Sequence, residues 1–80
     1  ADIVREAASN GSLKVLAYLK RLGWAMYEAP SVAAKAGRVE VLKFLHEHGV
    51  VFYDDDASLA VREGHVDAAR YILAHGGHLT

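Results

Sequence analysis

Apolar positions along the chain fall at helical spacing in three similar stretches, each framed by two glycines. The stretches are GSLKVLAYLKRLGW from Gly11, GRVEVLKFLHEHGV from Gly37 and GHVDAARYILAHGG from Gly64. Their opening glycines lie 26 and 27 residues apart, and a second glycine (Gly23, Gly49, Gly76) follows twelve positions after each. A fixed period of this kind marks a repeat architecture. In the middle copy Val39, Val41, Leu42, Phe44 and Leu45 are apolar, while Arg38, Glu40, Lys43 and Glu47 are polar. That is a broad apolar stripe with a solvated opposite face. Leu13, Leu16 and Leu19, and Val66, Ala69 and Ile72, occupy the same stripe in the other copies. The pattern predicts outer helices over roughly 13–22, 39–48 and 66–75, each closed by a glycine suited to a left-handed cap.

A shorter segment precedes each opening glycine and carries paired small residues: Ala7-Ala8, Ala33-Ala34 and Ala60-Val61. Small side chains let helices approach closely, so these segments read as inner helices over roughly 3–10, 29–36 and 56–63. Asp2, Glu28 and Asp55 sit near their starts, where an acid complements the helix dipole and Asp can cap free amides. Pro30 falls in a first turn, where proline is tolerated. Met26, Phe52 and Leu79 stand third after the closing glycines, as apolar plugs beneath the turns. A single helix pair cannot bury its own apolar face; stacking about three pairs can. The expected fold is all-α: one domain of three stacked helix–turn–helix units, about 1–27, 28–53 and 54–80.

The stretches AASNGSLKVLAYL, AAKAGRVEVLKFL and AVREGHVDAARYI resemble the ankyrin repeat, in which two alanines and two variable residues precede the glycine. Met26, Phe52 and Leu79 match the buried valine of the ankyrin turn. Two departures stand out. The family period is about 33 residues, and the Thr-Pro-Leu-His start of the inner helix is replaced by DIVR, EAPS and DDAS. The missing residues fall in the inter-unit loop, so the chain resembles a short ankyrin variant without the β-hairpin finger. A tetratricopeptide array also stacks helix pairs, but at about 34 residues per repeat and with a different aromatic pattern.

The resemblance implies a right-handed solenoid and a non-catalytic module that binds another protein through the concave inner-helix face and the inter-repeat loops. The variable pairs before the glycines are Ser9-Asn10, Lys35-Ala36 and Arg62-Glu63; stacking places Ser9, Lys35 and Arg62 in one row and Asn10, Ala36 and Glu63 in another. Tyr27 and Tyr53 are matched loop positions, divided between packing and a binding surface. Trp24, the only tryptophan, reads first as junction packing and second as a partner anchor. Tyr18, Phe44 and Tyr71 line up in the outer helices and read as packing between repeats.

Composition narrows the remaining classes. The chain is 52% hydrophobic and 24% charged with a formal net charge of −1, which argues against a nucleic-acid footprint. It has no cysteine, hence no disulfide frame and no thiolate zinc site. No apolar run is long enough to span a bilayer, and no membrane role is expected; the expected location of a natural protein of this kind is intracellular. His46 and His48 are two apart and diverge on a helix, while His48 and His75 sit where a side chain can bond the last carbonyls. Asp54-Asp55-Asp56 opens a helix and lacks EF-hand spacing. Ser31 and Ser58 lie in first turns with no local histidine and acid beside them. No catalytic residue, metal or cofactor is expected. Glu40–Lys43 and Asp67–Arg70 are read as surface pairs worth a few tenths of a kcal/mol.

Glu6, where the other copies have Val32 and Leu59, suits an exposed first unit, and Ala68-Ala69 thins the stripe of the last. Both fit capped ends, yet the chain stops at a repeat boundary, as an excerpt of a longer array would. Open ends would self-associate end to end through the terminal repeats. The competing reading is an engineered or excised fragment that folds and has no partner. An exposed apolar patch around Trp24, Tyr27 and Tyr53 would count against it.

Overall fold

The computed structural model describes residues 2–76. Among them all regular structure is helical: α1 (Ile3–Asn10), α2 (Leu13–Arg21), α3 (Ala29–Ala36), α4 (Val39–Glu47), α5 (Asp54–Arg62) and α6 (Val66–Ala74). The expected inner helices α1 and α3 have the bounds read from the sequence. Helix α5 starts two residues earlier than the pattern suggested. Its start is fixed by Asp56 rather than by Asp55: the Tyr53 N–H donates to Asp56 Oδ2 at 2.8 Å, and the Asp56 N–H donates to the Tyr53 carbonyl at 3.0 Å. Two otherwise orphaned donors are satisfied by this exchange. At α1 the Asp2 carboxylate accepts from the Val4 and Arg5 amides at 3.0 and 3.3 Å. Glu28 makes no such cap and instead pairs with Arg5 at 3.1 Å.

The closing glycines Gly23 and Gly49 have a positive φ, as expected, and the opening glycines Gly11 and Gly37 end α1 and α3 in the same way. Gly11 and Gly37 have φ of +73°, a conformation costly for other residues. The residue after each glycine then donates to the carbonyl five positions back, as in Ser12 to Ala7 at 2.9 Å and Arg38 to Ala33 at 2.9 Å. The same bond ends α2, α4 and α5, through Trp24, Val50 and His65, so one cap chemistry recurs along the chain.

The helices form two layers. Helix α3 packs between α1 and α5, and α4 contacts both α2 and α6, while each of α1, α3 and α5 packs on the helix that follows it. The result measures 33 × 21 × 18 Å. Ala8, Ala33, Ala34, Ala57 and Ala60 are buried in the first layer, where a bare methyl allows the helices to approach. Leu16, Leu42, Leu45 and Ile72 fill the space between layers, each contributing about 1.5–3 kcal/mol by burial. Pro30 is buried in the first turn of α3. Met26 and Phe52 are buried beneath their turns; Leu79 lies outside the described residues.

The packing of Tyr18 and the surface ion pairs need correction. Tyr18 does not pack between helix pairs: it is exposed on the face of α2 turned away from α4, whereas Phe44 and Tyr71 do pack against the core. Ala68 and Ala69 are buried like their bulkier equivalents Val41 and Leu42. Glu40 pairs with Arg38 at 3.9 Å, and neither Glu40–Lys43 nor Asp67–Arg70 forms among the described residues.

Candidate functional site

The exposed ends of α1, α3 and α5 carry the residues singled out in the inner rows. Ser9, Asn10, Lys35, Arg62 and Glu63 are exposed and Ala36 is half-buried. Ser9, Lys35, Ala36 and Glu63 share one shallow depression with Arg5, Glu6 and Val32. Its charges are mixed, with Lys35 set among Glu6 and Glu63. Arg5 is already engaged with Glu28. The floor is held in place by Arg38, whose Nε donates to the Ser9 carbonyl at 2.9 Å and ties the end of α1 to the start of α4. Asn10 opens instead into a separate hollow with Ile3, Ser12 and Val15. Arg62 is outside the lining of both. The two rows are therefore divided between separate hollows.

The loops form a second surface. Tyr27 and Tyr53 line one depression together with Trp24, Lys20, His48 and Val51. Trp24, Tyr27 and Tyr53 are 45%, 63% and 55% exposed, while the intervening plugs Met26 and Phe52 are buried. Each loop thus points one apolar residue in and an aromatic neighbour out. Trp24 also borders a hollow with Asp2, Tyr27 and Glu28, so the aromatic surface is flanked by acids on one side and by Lys20 and His48 on the other. The first reading of Trp24, as junction packing, does not hold, because Gly23 carries it outward past the end of α2. The signal was in the repeat itself: the equivalent positions are Val50 and Gly77, so the unit does not require an aromatic there.

The remaining polar groups serve local structure. His48 Nδ1 lies 2.8 Å from the Phe44 carbonyl, as expected of a residue at a helix end. His46, Tyr71 and His75 make a ring cluster between α4 and α6, with His46 and His75 centroids 4.3 Å apart and Tyr71 and His75 4.1 Å apart. Sequence spacing could not show this, since the two histidines come from different units. Ser31 donates to the Glu28 carbonyl at 3.0 Å. Asp56 is buried, and desolvation raises its pKa above the ordinary 3.8; the Tyr53 amide lowers it and the charge of Asp55 raises it further. Among the described residues no group of three or more His, Asp or Glu side chains is placed to hold a metal ion, and no helix is long and apolar enough to cross a membrane. No family model and no curated protein matches the chain.

Proposed function

We propose that the chain is a non-catalytic protein-recognition module, a short ankyrin-type array of three helix–turn–helix units in a right-handed solenoid. On this reading it binds an extended segment of another protein across the loop aromatics and the adjoining inner-helix ends. The observation that carries the proposal is the exposed group Trp24, Tyr27, Tyr53 and Val51 on one side of the molecule. Contiguous exposed apolar surface marks an interaction site, and Trp and Tyr are the residues that most often anchor one. The same patch weighs against a fragment built only to fold. Its flanking charges favour a ligand with apolar side chains at the centre, basic groups near Asp2 and Glu28, and acidic groups near Lys20.

Selection of a displayed random-peptide library on the intact chain tests this reading. Peptides that bind are expected to shift the resonances of Trp24, Tyr27 and Tyr53 and to lose about tenfold or more in affinity on Trp24→Ala. Peptides that all map to α2, α4 and α6 and ignore Trp24→Ala would refute it.

A further inference from the structure

The two ends of the molecule are complementary in a register that the chain already uses twice. At one end, Ile3, Glu6, Ala7, Asn10, Ser12 and Val15 line an open hollow. One unit further on, those positions are Ala29, Val32, Ala33, Ala36, Arg38 and Val41; Ile3 and Val15 are 46% and 42% exposed, whereas Ala29 and Val41, which have a helix pair before them, are fully buried. At the other end Val61 is 53% exposed, whereas its equivalents Ala8 and Ala34 are fully buried by the pair that follows. Gly11 and Gly37 are covered by Arg38 and His65 of the following unit, while nothing lies within 4 Å of the Cβ direction of Gly64.

The internal contacts state which positions meet. Ser9 shares a depression with Val32 and Ala36 of the next unit. His46 packs against Tyr71 and His75 of the next unit, edge-on and tilted, at 6.3 and 4.3 Å between centroids. Carried across the ends, the same register sets Arg62 against Glu6 of a second molecule. It also sets Leu73, in the place of His46, against Tyr18 and Leu22 of that molecule, in the places of Tyr71 and His75. Leu73, Tyr18 and Leu22 are 42%, 60% and 58% exposed here. The ends thus carry leucines where the interior carries Lys20, His46, His48 and His75, and the acid Glu6 stands where the interior has Val32 and Leu59. We infer that the α5–α6 end of one copy docks on the α1–α2 end of a second copy, head to tail. Val61 and Ile3 are bulkier than Ala8 and Ala29, so the helices meet less closely than inside the chain and the contact is weaker than the internal ones. A head-to-tail contact whose rotation does not complete a ring builds open-ended stacks, and one that repeats the stacking of consecutive helix pairs is of that kind. This contact makes no use of the loop aromatics that carry the proposed function.

Sedimentation equilibrium of the intact chain and two variants decides the matter. Leu22→Glu blocks one end and Leu73→Glu the other. Both replace exposed residues at positions that are polar in other units, and circular dichroism checks that they remain helical. The average mass of the parent chain is expected to rise continuously with concentration, and each variant alone is expected to associate at least about tenfold more weakly, having buried an unpaired charge. An equimolar mixture is expected to recover a one-to-one pair that grows no further, since each variant retains one intact end. A parent chain that stays monomeric to about millimolar concentration overturns the inference. So does association that stops at a dimer and is abolished by only one of the variants, which would indicate a two-fold contact.

Discussion

Asp56 shows how one residue serves two demands. It is buried and satisfies the Tyr53 amide, yet it must keep a carboxyl away from water. Its pKa is raised above 3.8, first by desolvation and then by the charge of Asp55. The unfolded chain therefore ionises first as pH rises, the native state binds more protons, and stability falls as pH climbs through the window that begins near 3.8. The decline ends once the native carboxyl has ionised too. Asp56→Asn keeps an oxygen for Tyr53 and removes the titration. Urea unfolding across a pH series is expected to show the variant gaining on the parent chain as pH rises through that window. A difference that is flat, or that slopes the other way, would contradict this assignment. The sequence placed an acid at this helix start but chose Asp55, because dipole arguments do not distinguish neighbours; the choice is made by which carboxylate can reach back to the Tyr53 amide.

At the scale of the element, the helices were legible because two independent signals agree. Apolar spacing sets the buried stripe, and a glycine with a positive φ ends each of α1 to α5 with the same five-back hydrogen bond. The alanine pairs likewise foretold the close layer of α1, α3 and α5. Ala33 is fully buried there, while Lys35 two residues on is exposed. Ala33→Leu is expected to destabilise the chain by roughly 1–3 kcal/mol through overpacking, and Lys35→Ala by no more than about 0.5 kcal/mol. Thermal unfolding of the two variants checks the register of α3; an Ala33→Leu variant that melts with the parent would place the helix wrongly. What the pattern could not supply was contact between units. The His46–His75 pair, the Arg38 bond to Ser9 and the Arg5–Glu28 ion pair span 29, 29 and 23 residues, and no periodicity within one unit specifies them.

For the whole molecule, the distinction that matters is between surface needed to hold the helices together and surface left over. The two layers bury leucines and alanines between them, and Met26 and Phe52 fasten the loops from beneath. Much of the candidate inner-row surface was readable as positions that vary between copies, although its division into two hollows was not, since that depends on how the helices stack and not on spacing within one unit. The loop surface was half-readable: Tyr27 and Tyr53 recur, but the exposure of Trp24 depends on the direction in which the chain leaves Gly23. The proposed function rests on Trp24, Tyr27 and Tyr53 being surplus to folding. Urea unfolding of the triple variant Trp24→Ala, Tyr27→Ala, Tyr53→Ala tests that claim most directly. The expected result is a stability within about 1.5 kcal/mol of the parent, three surface substitutions at about 0.5 kcal/mol each. Loss of the cooperative transition, or of several times that free energy, would mean that the aromatics are part of the packing and not a surface kept for a partner.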